Sequence, residues 1–119
     1  LTKMVNQLCI ASLIQGLSEG IVLGKKSNLN MTKVLNAISG GAAQSWQMDN
    51  RFKTMVNSKF DFGFAVDLMI KDLKIAIGHS KDLSIKLPSS KSALQNYKKL
   101  SMLGDGQLDT SSLIKLLEN

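Results

Sequence analysis

Residues 2–26 hold one helical apolar period without a proline. Ile10, Leu13, Ile14, Leu17 and Ile21 fall at i, i+3, i+4, i+7 and i+11, a single stripe on a helix of 3.6 residues per turn. Val5, Cys9 and Val22 add apolar groups off that stripe. The pattern predicts a long, largely buried helix at the centre of the fold. Ser12, Gly16 and Gly20 form a second row at i, i+4 and i+8. Glycine inside a helix costs about 1 kcal/mol against alanine. The expected return is close approach of another helix backbone.

The rest of the chain continues in the same period. Asn30 is placed to cap a helix over 31–39, with Val34, Leu35 and Ile38 inward, and Gly40-Gly41 to end it. Ser45 is placed to cap a helix through Ser58 that carries Trp46, Met48, Phe52, Met55 and Val56. Phe60 to Phe64 reads as a loop whose aromatics at 60, 62 and 64 plug onto the core. A helix from about Ala65 to Leu83 has the stripe Val66, Met69, Ile70, Leu73 and Ile77. Pro88 suits the first turn of the next helix, with Leu94, Tyr97 and Leu100 inward and Met102 and Leu103 near its end. Gly104-Asp105-Gly106 is a turn, and Asp109 caps a last short helix through Leu117. No segment alternates apolar and polar residues over a strand's length. The expected fold is all-α, one domain over 1–119, a bundle of about six helices without internal repeats.

The net charge is +6, and Arg51 is the sole arginine among 15 basic residues. The lysines are scattered, and no stacking motif joins the six aromatics. A solvated surface is expected, not a nucleic-acid face. One cysteine and one histidine exclude an intramolecular disulfide and a thiolate-rich or multi-histidine metal site, so no metal is expected. No uninterrupted apolar run approaches the ~18 residues of a membrane span, so no membrane partner is expected. The chain opens on Leu1 as if cut from something longer, and no signal peptide is expected at its start. It closes as a finished helix end over Leu116, Leu117, Glu118 and Asn119. The expected compartment is the cytoplasm.

Lys3-Met4-Val5-Asn6-Gln7 puts an ammonium on the same helical face as two carboxamides, at i+3 and i+4. An ammonium can protonate a developing alkoxide while a carboxamide orients the same substrate. By spacing alone, a solvated lysine in a first turn is the favoured reading of Lys3. Asp67 and Lys71 have the spacing of an ordinary helix ion pair. Ser39 to Trp46 reads as an interhelix turn, lacking any phosphate-loop pattern. Cys9 reads as an inert core thiol, His79 as a surface or half-buried imidazole, and the six methionines as core filling.

Taken together, Lys3-Met4-Val5-Asn6, Leu17-Ser18-Glu19-Gly20, Ser39-Gly40-Gly41-Ala42-Ala43, Phe60 to Phe64, Asp67-Leu68 with Lys71-Asp72-Leu73, Leu87-Pro88 and Ser111 to Lys115 resemble the C-terminal helical domain of the β-hydroxyacid dehydrogenase family. That family includes 3-hydroxyisobutyrate dehydrogenase, tartronate semialdehyde reductase and the glyoxylate/succinic semialdehyde reductases; 6-phosphogluconate dehydrogenase is a more distant relative. The match covers nearly the whole chain. The resemblance implies that Lys3 is the general acid/base, that Asn6 binds substrate, and that Lys71 reaches an NAD or NADP cofactor near its nicotinamide end. Asp72 is implied as a supporting residue. The substrate would be a small hydroxyacid or semialdehyde.

A dinucleotide fold needs a strand, a G-x-G-x-x-G turn and a helix. Gly104 and Gly106 give only G-x-G, with Asp at 109 and no apolar strand before them. The chain is therefore expected to be the substrate-side, dimerising half of a two-domain enzyme, inactive by itself, with the cofactor bound mainly by an N-terminal domain outside it. A homodimer or larger assembly is implied. The competing expectation is a helical interaction module that keeps this fold without redox activity.

Overall fold

The computed structural model describes residues 1–118, and Asn119 lies outside the described residues. Helix α1 spans Thr2–Lys26, α2 Met31–Ile38, α3 Trp46–Val56, α4 Val66–Asp82 and α5 Pro88–Leu100. A wide helical turn, Ser101–Asp105, and a 3₁₀ helix, Thr110–Leu117, follow. Among the described residues, β geometry is confined to one isolated bridge, Ala65 to Asp109. The all-α expectation holds, and each expected helix is present within a few residues of its expected bounds.

The local signals act as their chemistry requires. Asn30 Oδ1 accepts from the Lys33 amide at 3.1 Å, and Ser45 Oγ from the Met48 amide at 3.0 Å. Each satisfies an amide that the helix leaves unpaired, typically worth about 1 kcal/mol. Pro88 opens α5, where its missing N–H costs nothing.

Helix α1 is the spine. It packs against α2, α3, α4, α5 and the 3₁₀ helix. It is also long and apolar enough, by length and composition, to cross a membrane, a test that core helices pass as well. Along its N-terminal half, Ala11 and Ile14 join Val66, Met69 and Leu73 of α4 and Ala93, Tyr97 and Leu100 of α5. Along its C-terminal half, Ile21 joins Met31 and Leu35 of α2 and Met48, Phe52 and Met55 of α3. The 3₁₀ helix bridges the two, with Leu113 in the first cluster and Ile114 in the second. A fully buried side chain of this kind contributes about 1.5–3 kcal/mol. Tyr97 is fully buried, and its hydroxyl donates to the Thr110 carbonyl at 3.1 Å. Burial, reinforced by the charge of Asp109, pushes its phenol far above the usual range.

The buried stripe of α1 is rotated from the expected one. Gln7, Ala11, Ile14, Ser18 and Ile21 are buried, whereas Leu13 is 44% exposed. Small and polar residues face inward because α4, α5 and the 3₁₀ helix come close on that side. Among the described residues, no other helix closely approaches Gly16 or Gly20 of the Ser12/Gly16/Gly20 row. A Cβ built on Gly16 or Gly20 meets nothing within 4 Å. Cys9 is exposed, against its expected core position. Met102 and Leu103 also face outward, where the chain leaves α5 through a turn with Gly104 at φ 95°.

Candidate active site

The first turns of α1 carry Lys3, Asn6 and Gln7, and α4 runs past them. Gln7 is buried, so its amide needs partners. Its Nε2 donates to Asp72 Oδ2 at 2.9 Å, and its Oε1 accepts from Asn6 Nδ2 at 2.9 Å. The other Asp72 oxygen lies 3.4 Å from Lys3 Nζ. The Asp72 side chain is 12% exposed and that of Lys3 71%. A nearly buried carboxylate, held from behind by Gln7, thus tethers an ammonium that still meets solvent.

Lys3, Asn6 and Gln7, with Asp72 behind them, form one wall of a cavity of about 360 Å³ that Asp72 itself does not line. Gln47 and Arg51 of α3, with Asp109 and Thr110 at the start of the 3₁₀ helix, form another. Arg51 lies between two rings, its guanidinium carbon 5.0 Å from the Trp46 centroid and 4.9 Å from that of Phe62. Each such contact contributes about 0.5–2 kcal/mol. Arg51 Nε donates to Asp109 Oδ2 at 3.0 Å. Asp109 also accepts from the Phe64 amide at 2.9 Å, from the Ser111 amide at 3.1 Å and from the Ser111 hydroxyl. Gly63 lets the loop close over this pair: its φ is +72°, and a Cβ there would collide with Asp109 and lie 2.8 Å from Arg51 Nη2. Phe62 therefore does not plug into the core as Phe60 does; it turns outward and covers Arg51.

A larger open groove of about 760 Å³ runs along Ser58 to Phe62, Leu108 and Lys115. Its Lys115 is engaged by Asp105 at 2.8 Å. Convergence of polar groups singles out the smaller cavity as the candidate site, where an ammonium, a guanidinium and three carboxamides meet over apolar walls. Among the described residues no group of three His, Cys, Asp or Glu could hold a metal ion.

Of the residues singled out in the sequence, Lys3 and Asn6 line the cavity and Lys71 does not. Lys71 is exposed on α4, one residue before Asp72. The expected Asp67–Lys71 pairing gives way to another partner, because Asp67 turns to the segment after α5. There its Oδ1 accepts from Ser101 Oγ at 2.6 Å, and its carboxylate packs on Gly106. The α3 wall had no local signal. Arg51 and Asp109 are 58 residues apart, and only the tertiary fold brings them together.

The chain matches over residues 1–117 a family model described as NAD-binding of NADP-dependent 3-hydroxyisobutyrate dehydrogenase. It is 48% identical over 118 residues to an uncharacterized oxidoreductase of Shewanella frigidimarina, covering 99% of this chain and 40% of that protein. It is 38% identical to the probable mitochondrial 3-hydroxyisobutyrate dehydrogenase-like 1 of Arabidopsis thaliana, covering 98% of this chain and 35% of that one. The crystal structure of 3-hydroxyisobutyrate dehydrogenase from Salmonella typhimurium superposes with a TM-score of 0.88 at 27% identity, over 97% of this chain and 40% of that one. The chain spans about two fifths of the length of the relatives it matches.

Proposed function

The chain belongs to the 3-hydroxyisobutyrate dehydrogenase family of NAD(P)-dependent oxidoreductases, and from that premise we propose that it is the C-terminal, substrate-side domain of an enzyme that interconverts a small hydroxyacid and its semialdehyde or keto form by hydride transfer. The carrying observation is the Lys3–Asp72–Gln7–Asn6 array, in which Lys3, Gln7 and Asn6 line the cavity and Asp72 ties Lys3 to Gln7. When bound, the nicotinamide accepts or delivers the hydride. Lys3 moves the matching proton: its ammonium protonates the carbonyl oxygen on reduction, and its amine takes the hydroxyl proton on oxidation. Asn6 hydrogen-bonds the substrate beside the reacting carbon. Asp72 and Gln7 hold the ammonium in position and do not react.

The matched family model describes this stretch as NAD-binding. The described residues contain no strand–turn–helix unit of a dinucleotide fold, so their contribution to the cofactor is through side chains. Lys71 fits that task. It is exposed beside Asp72, with the exposed apolar Leu68 and Ile75 at i−3 and i+4 on the same outer face. A cation flanked by apolar side chains suits the polar and aromatic parts of a nicotinamide nucleotide. In the complete enzyme Lys71→Ala raises the KM for the cofactor about 10-fold or more, the equivalent of a charge-assisted hydrogen bond, and changes kcat far less. Steady-state kinetics with NAD and NADP measures this; an unchanged cofactor KM removes Lys71 from the site.

The outer face of α1 supports a homodimer or larger assembly. Val5, Leu13 and Leu23 are exposed there beside the open Gly16 and Gly20, a surface that a single copy of the chain leaves in water. Light scattering of the complete enzyme at high micromolar concentration gives at least a dimer, and a clean monomer overturns this assignment. The 119-residue chain by itself does not turn over hydroxyacids.

A further inference from the structure

Gln7 is a buried amide on the wall of the candidate site, 6% exposed, with both of its ends engaged. An amide has one donating and one accepting end, and its neighbours decide which points where. The Asp72 carboxylate can only accept, so Gln7 turns Nε2 to its Oδ2, at 2.9 Å. That leaves Gln7 Oε1 to accept from Asn6 Nδ2, also at 2.9 Å. Turning either amide round sets oxygen against oxygen. The hydrogen bonds from Asn6 to Gln7 to Asp72 therefore run in one sense. Beyond them, the other Asp72 oxygen lies 3.4 Å from Lys3 Nζ. Among the described residues, the Asn6 side chain has no other hydrogen-bond partner.

Lys3 and Asn6 need such a hold, because both are exposed in the first turns of α1. A lysine stem is flexible. Adjacent helical residues do not face each other, so Asn6 is drawn to Gln7 by the hydrogen bond and not by the helix.

We propose that Gln7 is a positioning residue that couples the two functions of this wall. Through Asp72 it sets the ammonium that moves the proton, and through Asn6 it sets the carboxamide that binds the substrate. The assignment rests on the functional reading above and adds to it that proton transfer and substrate binding share one buried amide.

The test uses the complete enzyme, with 3-hydroxyisobutyrate or glycerate as substrate, whichever the wild type oxidises faster. Gln7→Met fills the space and removes both hydrogen bonds. It lowers kcat about 10-fold or more and raises the substrate KM about 5-fold, the charged bond counting for more than the neutral one. The cofactor KM stays at the wild-type value. Gln7→Glu keeps an acceptor for Asn6 but turns an oxygen on Asp72, so kcat falls while the substrate KM stays close to wild type.

Double variants separate positioning from general support. In a Lys3→Ala background, Gln7→Met lowers kcat by less than about 2-fold further, since the group that it set is gone. In an Asn6→Ala background it raises the substrate KM no further. A merely structural glutamine costs the same factor in every background, and that result overturns the assignment. So does an active Gln7→Met enzyme with wild-type kcat and substrate KM, with the functional reading left intact. If melting shows Gln7→Met unfolded, Gln7→Glu decides: a substrate KM that rises as far as kcat falls overturns the assignment. Turnover of neither acid by the wild type with NAD or NADP overturns both readings.

Discussion

Lys3→Ala in the complete enzyme lowers kcat by about 10²–10⁴-fold, the range typical of general acid–base catalysis, and leaves cofactor affinity close to wild type. The separation follows from where the side chain sits. Lys3 lines the cavity, and its ammonium lies 3.4 Å from Asp72 and remains 71% exposed. It holds no backbone or core group together, so its loss leaves the fold intact. In the proposed role its proton is transferred only as the carbon–oxygen bond changes order, so the interaction belongs to the transition state. Its removal lowers kcat and kcat/KM together and spares ground-state binding. Lys3→Arg does not restore the rate, because a guanidinium does not release its proton near neutral pH. Asp72→Asn leaves the cavity in place and removes the charge that fixes the ammonium, so it lies between wild type and Lys3→Ala. Single-turnover kinetics with cofactor titration for the three variants decides the matter. Near-normal turnover in Lys3→Ala returns Lys3 to a solvated first-turn lysine.

What the sequence could convey about this fold depends on distance along the chain. Helix bounds are written locally: Asn30, Ser45, Pro88 and Asp109 each act on residues within a turn of themselves, and the structure uses all four. Which side of a helix is buried is not written locally. In α1 apolar residues occur all round, so the choice falls to the neighbours. These select the side with Ala11 and Ser18, where close packing is possible, and leave Leu13, Gly16 and Gly20 outside. The candidate site divides in the same way. Lys3, Asn6 and Gln7 are legible because one helical turn brings them together. Asp72 is 65 residues from its Gln7 partner, and it is legible only through a resemblance to relatives. Gln47, Arg51 and Asp109 are legible through neither. Nothing in the spacing of Arg51, the sole arginine, from Trp46 and Phe62 says that its guanidinium lies over both rings.

Asp109→Ala destabilises the protein by about 3–5 kcal/mol, the cost typical of breaking a buried ion pair from one side. The carboxylate is 2% exposed and has four donors: Arg51 Nε, the Phe64 amide, the Ser111 amide and the Ser111 hydroxyl. Alanine leaves the guanidinium, whose side chain is 18% exposed, without its counter-charge. It also strands the Phe64 amide and uncaps the 3₁₀ helix; a capping residue lost to alanine costs about 0.5–2 kcal/mol by itself. These losses are not independent, so they are not summed. Asp109→Asn keeps the shape and one acceptor oxygen but points an amide nitrogen at a donor, so it recovers only part of the loss. The informative variant is the double one. Arg51→Met added to Asp109→Ala removes the stranded charge and keeps apolar contact with Trp46 and Phe62, so the double variant is more stable than Asp109→Ala alone. Urea unfolding of the set, followed by the fluorescence of Trp46 where it reports this wall, gives the coupling directly. A loss below about 1 kcal/mol for Asp109→Ala, the level of an exposed ion pair, means that the four contacts do not act as one buried anchor. The α3 wall is then not held in place by Asp109, and the fixed position assigned to Arg51 fails with it.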